Sequence, residues 1–125
     1  MTETGLQIEA EVYDDLGVVV VTPNGMVDAS TFNQLEKKLT DLFKKGHHKI
    51  IIDLGGVDYI SSAGVGVFFA SVYEAREAKG DIVLLNLSEQ VCKVFEILNI
   101  SKLLNIASDI NEALDFFEKG KKRKK

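Results

Sequence analysis

Two adjacent serines and two nearby glycines stand in Val57-Asp58-Tyr59-Ile60-Ser61-Ser62-Ala63-Gly64-Val65-Gly66-Val67-Phe68-Phe69-Ala70, between an apolar strand and an apolar helix. Hydroxyls in such a place can act as nucleophiles, given a base beside them, or accept the free amides of a helix start. The nucleophile reading fails on its partners. Ile60-Ser61-Ser62-Ala63-Gly64 is not the G-x-S-x-G elbow of a serine hydrolase. The two histidines, His47 and His48, are adjacent just before a strand, so they point to opposite faces. Without a cysteine cluster they also make a poor metal site. Gly64-Val65-Gly66 would open a dinucleotide fingerprint only with Gly or Ala at position 69, where Phe69 stands. No glycine precedes Lys-Ser or Lys-Thr, so there is no P-loop. Asp53 and Asp58 flank a strand end without the paired, apolar setting that tunes carboxylates for acid–base work. Cys92 is the single cysteine and reads as a small half-buried helix residue. These residues predict no catalysis, no cofactor and no metal.

Capping accounts for one serine. The second gains meaning from the same geometry, because a helix N-terminus offers unpaired N–H groups and a positive dipole end that tolerate a phosphate. Glycine in a helix interior costs about 1 kcal/mol relative to alanine. At 64 and 66 it is expected to leave a bare face that another protein's backbone can approach closely. A phosphate there adds about 1.5 to 2 negative charges and opposes docking by bulk, repulsion and desolvation.

The elements that must position this stretch follow from hydrophobic period. Leu6 to Tyr13 alternates as a half-buried strand, and Asp14-Asp15 turns it. Leu16 to Thr22 reads as a strand buried on both faces, stopped by Pro23-Asn24-Gly25. A helix capped by Asp28 or Ser30 carries Phe32, Leu35, Leu39, Leu42 and Phe43 on one face and ends at Lys44-Lys45-Gly46. Lys49 to Leu54 is a strand broken by Gly55-Gly56. The next helix has Val65, Phe68, Phe69, Val72 and Tyr73 as its apolar stripe and closes at Lys79-Gly80. Asp81 to Leu87 is a strand, Ser88 opens a helix with Val91, Val94, Phe95 and Leu98 inward, Leu103 to Ala107 is a short strand, and Ser108 or Asp109 caps a last helix. The order ββαβαβαβα predicts one α/β domain with a mostly parallel mixed sheet, an antiparallel edge strand and four helices.

The chain has 125 residues, enough for one core. No apolar run approaches the ~20 residues that span a bilayer, and the N-terminus lacks the pattern of a signal peptide. The expected location is cytoplasmic. All 19 acidic residues precede Lys119, and six of the 15 Lys and Arg lie in 119–125. An acidic body excludes general nucleic-acid binding, which rests on neutralising phosphates. The Lys-Gly-Lys-Lys-Arg-Lys-Lys end could touch nucleic acid, anionic lipid or an acidic partner. It reads better as a disordered, solubilising tail, since blocks of like charge repel.

The order of elements and the stretch Val57 to Gly66 resemble the STAS domain of bacterial anti-sigma-factor antagonists, over residues 5–118 with 119–125 as tail. Gly25 and Asp28 in Gly25-Met26-Val27-Asp28-Ala29-Ser30-Thr31 match the family's Gly-x-(Leu/Ile/Val)-Asp element, and Val91 to Leu104 matches its short helix, turn and last strand. In phosphorylated members Asp-Ser-(Ser/Thr)-Gly opens the second helix and its first serine is the acceptor. The resemblance puts that acceptor on Ser62, with Ser61 as the alternative, and the glycine on Gly64. Ser61 replaces the Asp, and Ala63 the following Ser/Thr, as in the common Ile-Ser-Ser-Ala-Gly variant.

The resemblance implies a non-enzymatic switch. The unphosphorylated protein binds an anti-sigma factor that is also an ATP-dependent serine kinase and so frees a sigma factor. Phosphorylation ends the binding, and a serine phosphatase restores it. Asn24, Gly25, Asp28, Ser61, Ser62, Ala63, Gly64 and Gly66 are the expected partner-binding residues. The alternative is a constitutive scaffold or subunit of a larger complex, such as a lipid-transport or signalling assembly, without phosphorylation.

Overall fold

The structure, a computed structural model, describes residues 6–13, 17–100 and 103–123, with side chains as far as Phe117. Its elements run β1 (Gln7–Tyr13), β2 (Val18–Val27), α1 (Phe32–Lys44), β3 (Lys49–Asp53), β4 (Gly56–Ile60), α2 (Ser62–Glu77), β5 (Asp81–Leu85), α3 (Glu89–Leu98), β6 (Asn105–Ala107) and α4 (Ile110–Arg123). The sheet order is β1-β2-β3-β5-β6, with β4 pairing β2. Among the described residues only β1 is antiparallel to its neighbour; the other pairs are parallel. The expected mixed sheet with an antiparallel edge and four helices is therefore present. The turn expected at Asp14-Asp15 lies outside the described residues.

Buried aliphatic residues of the strands alternate between two cores. Val19, Val21, Ile50, Ile52 and Leu84 face α1, α2 and α3, where Leu35, Leu39, Phe68, Val72 and Phe95 meet them. Val18, Ile51, Val83 and Leu85 face α4 through Ala113 and Phe117. Fully burying a Leu, Ile or Phe side chain contributes about 1.5–3 kcal/mol, so a sheet covered on both faces has ample driving force. Phe68 and Phe95 meet edge-on, their ring centroids 6.4 Å apart, and tie α2 to α3.

The structure departs from the sequence expectation in several places. Pro23-Asn24-Gly25 does not stop β2, which continues to Val27. Its parallel neighbour changes there: β3 pairs Val19 to Val21, and β4 pairs Asn24 to Val27. Pro23 falls in the gap, where no ladder N–H is required on that side. Downstream of Gly55, Gly56–Ile60 forms a sixth strand, β4. Its register jumps from Gly25↔Val57 to Met26↔Tyr59, so Asp58 is the extra residue of a bulge. Neither Asp28 nor Ser30 caps α1; its N-cap is Thr31, with no side-chain cap bond. Tyr73 and Leu98, expected inward, are exposed. α4 runs from Ile110 to Arg123.

Candidate functional site

β2 and β4 run parallel and end together, with Val27 opposite Ile60. The Ser61 N–H donates to the Val27 carbonyl oxygen at 2.8 Å, which fixes the start of α2 beside the Asp28 turn. Ser61 is the N-cap of α2 in extended conformation, and its Oγ accepts from the Gly64 N–H at 3.2 Å. Ser61 is thus the capping serine. Ser62 is the first helical residue and is exposed, as is Ala63. The amides of these two residues have no acceptor within the helix, so the Ser62 hydroxyl stands at the positive end of a 16-residue helix.

Asp28 sits on the neighbouring turn with its carboxylate already engaged. Its Oδ1 accepts from the Ser30 N–H (2.9 Å) and the Ser30 hydroxyl (2.8 Å). The Thr31 hydroxyl accepts from the Asp28 N–H (3.0 Å) and donates to the Met26 carbonyl oxygen (2.6 Å). The hydrogen bond from the Ser30 hydroxyl, then that from its backbone amide, hold the Asp28 carboxyl below the usual carboxylate range. Asp28 therefore keeps its charge beside the start of α2 at neutral pH.

Asp28, Ser61, Ser62 and Ala63 come together, whereas Gly25 and Asn24 lie three and four residues before Asp28 along β2. That is a distance of about 10 to 13 Å. Asn24 lies against Gly56 so closely that a Cβ there would overlap its Oδ1. Gly25 has φ +124°, a conformation other residues rarely adopt. The two glycines of α2 differ. A Cβ on Gly66 would meet nothing within 4 Å, so this exposed residue gives the bare outer face expected of it. Gly64 is buried, and a Cβ there would sit 2.6 Å from Val27 Cγ1 and 3.1 Å from the Val27 carbonyl oxygen. Close packing of α2 on β2, rather than clearance for a partner, requires glycine at 64.

The histidines lie far from this place. They precede β3, at the amino ends of the parallel strands, while Ser62 follows the carboxyl end of β4. His48 stacks on Phe43 with ring centroids 5.4 Å apart. No histidine is thus positioned to activate Ser62 as a nucleophile. Among the described residues no group of His, Cys, Asp and Glu is arranged to hold a metal ion.

Sequence reasoning missed the groove beside Ser62. About 320 Å³ in volume, it is lined by Tyr59, Ser61, Ser62, Val94, Ile97 and Leu98, among others. Ile97 is 80% exposed. The signal was an excess of apolar residues on α3. Its inward positions Val91 and Phe95 are buried, and Ile97-Leu98 are left over.

The STAS domain family profile matches residues 7–113. BtrV of Bordetella bronchiseptica, assigned by name to the anti-sigma factor antagonists, is 32% identical over 102 residues, covering 82% of this chain and 88% of that protein. A crystal structure from Thermotoga maritima with the same assignment superposes with TM-score 0.82 at 24% identity, covering 89% of this chain and 94% of the other. SpoIIAA, an anti-sigma factor antagonist, is similar in its unphosphorylated form (TM-score 0.69, 22% identity, 91% and 99% coverage). The phosphorylated Bacillus SpoIIAA gives TM-score 0.65 at 24% identity, with 87% and 97% coverage. No helix among the described residues is long and apolar enough to cross a membrane. The family match runs from β1 into the first turn of α4, and the chain belongs to the STAS domain family.

Proposed function

We propose that this protein is an anti-sigma-factor antagonist whose binding is switched at Ser62. The unphosphorylated form sequesters a cytoplasmic anti-sigma factor with serine-kinase activity, and a sigma factor is released. Transfer of the γ-phosphoryl group of ATP to Ser62 Oγ, leaving ADP, ends the complex, and a serine phosphatase resets it. The protein performs no catalysis of its own. The observation that carries this reading is the placement of Ser62: exposed, at the first position of α2, on the rim of an apolar groove and next to the charged Asp28 turn. A phosphate there needs no unfolding and is tolerated by the helix end, yet places about two negative charges where an apolar partner surface must desolvate. The names of the relatives point the same way.

Ser61, standing where phosphorylated members have Asp, is the observation that favours a constitutive scaffold instead. One experiment separates the two. The chain is incubated with a kinase-type anti-sigma factor and ATP, and phosphate is located by mass spectrometry in wild type, Ser61→Ala and Ser62→Ala. The switch requires phosphate on Ser62, none in Ser62→Ala, and loss of the pulled-down complex in Ser62→Asp. Retained binding in Ser62→Asp would establish the scaffold.

A further inference from the structure

Apolar surface left outside the core gathers at the end of the sheet that carries Ser62. Ile97 is 80% exposed, Met26 54%, Leu98 42% and Tyr59 41%. Met26 and Tyr59 are paired residues of β2 and β4, and Tyr59, Ile97 and Leu98 line the groove together with Val94 and Ser62. The core does not need Ile97 or Leu98, because Val91 and Phe95 are the buried positions of α3. α3 is nevertheless capped at both ends, which holds the two outer residues in place. Ser88 Oγ accepts from the Val91 N–H at 3.2 Å, and Asn99 closes the helix in left-handed conformation, φ +58°. Single exposed apolar residues need no explanation, but several around one groove mark an interaction site. No residue lining the groove is charged, and the exposed charges that β4 and α3 carry, Asp58, Glu89, Lys93 and Glu96, include both signs. Shape and apolarity, not charge, therefore select what enters.

We propose that this groove seats an uncharged apolar side chain of the anti-sigma serine kinase, and that Ile97 is a specificity-determining residue for that partner; the inference rests on the switch at Ser62 argued above. Ser62 selects the occupant. It lines the groove itself, so an enzyme that brings the γ-phosphorus of ATP to bonding distance of Ser62 Oγ must cover the groove as well. Ser61 offers that enzyme no charge, and its Oγ is taken up by the Gly64 N–H at 3.2 Å. Recognition then falls to the apolar wall, where a partner with a charged or polar group in the same place is rejected by the cost of desolvating it. Transfer of the phosphoryl group needs the Ser62 hydroxyl, whereas docking needs Ile97, so the two are separable in kinetics.

The test is steady-state phosphorylation of the full chain by a purified anti-sigma serine kinase with ATP, the phosphate being located by mass spectrometry. Ile97→Ser should raise KM for the protein about tenfold and leave kcat within about twofold, the split expected of a contact made equally in ground and transition states. Ile97→Leu, which keeps the volume, should bring KM back to within about threefold of wild type. Tyr73→Ser, at a position 70% exposed on the far half of α2, should leave KM unchanged. Urea midpoints of Ile97→Ser and wild type should coincide, since the residue lies outside the core. The proposal is overturned if Ile97→Ser keeps the wild-type KM, if Tyr73→Ser raises KM as much, or if the rise in KM follows a lowered midpoint. It is equally overturned if the amide resonances of Tyr59 and Ile97 shift with protein concentration alone, the sign of a second copy in the groove. Phosphate missing from Ser62 of the wild type would remove the switch and this inference with it, whereas phosphate on Ser62 with an unchanged KM in Ile97→Ser removes the inference alone.

Discussion

A Cβ added at Gly64 would lie 2.6 Å from Val27 Cγ1 and 3.0 Å from Ile60 Cγ1, whereas one added two residues later would touch nothing. The same substitution should therefore have opposite signs at the two positions. Gly64→Ala must push α2 off β2 or distort Val27, costing about 1–3 kcal/mol as overpacking does. Gly66→Ala relieves the helix of a flexible residue and should stabilise by up to about 1 kcal/mol. Urea midpoints of the two variants check both, and equal signs would refute the packing account. Asp28 has a signature in pH. Its folded-state pKa is lowered chiefly by the Ser30 hydroxyl hydrogen bond, so the carboxylate stabilises the fold at pH above its unfolded value of about 3.9. That contribution is lost as pH falls through the lower, folded value. The stability difference between wild type and Asp28→Asn should thus be constant at neutral pH and shrink on acidification. Denaturant titrations from pH 7 down to about 2.5 would show it.

At the scale of elements, the strands with regular period were legible. Gln7–Tyr13, Lys49–Asp53 and Asp81–Leu85 fall within one or two residues of where alternation and β-branched runs place them. β4 was not legible, because its bulge at Asp58 puts the buried residues Val57 and Ile60 three apart instead of two. Nor was the length of β2, since a proline reads as a stop unless the change of neighbour from β3 to β4 is known. The candidate site was half legible for the same reason. Capping chemistry and family resemblance pointed to Ser61 and Ser62, but the apolar groove needs α3 beside β4, a contact that no local pattern encodes. Gly25 joins these elements, with φ +124° at the last pair before the bulge. Gly25→Ala should cost about 1–3 kcal/mol, the usual price of a strained backbone. It should also shift the amide resonances of Asp28 and Ser61, because the β2–β4 pairing carries both. A midpoint within error of wild type would show that the turn tolerates a side chain.

Across the whole molecule, charge is divided by sequence position: nineteen Asp and Glu and nine Lys and Arg in residues 1–118, against six Lys and Arg in 119–125. A field of that size acts on encounter more than on the fold. Ala113 and Phe117 anchor α4 in the core, and the basic residues follow them in sequence. Replacing Lys119, Lys121, Lys122, Arg123, Lys124 and Lys125 with glutamine takes the formal net charge from −4 to about −10. If the partner presents a basic surface to the acidic residues of 1–118, the variant should associate faster at low ionic strength. A several-fold gain in the association rate constant is expected, with a steeper fall as salt rises and little change in dissociation rate. Stopped-flow association between about 20 and 300 mM salt, spanning Debye lengths from roughly 20 to below 8 Å, would measure both slopes. A slower association would mean that the basic segment itself attracts the partner, which would then have to present acid rather than base.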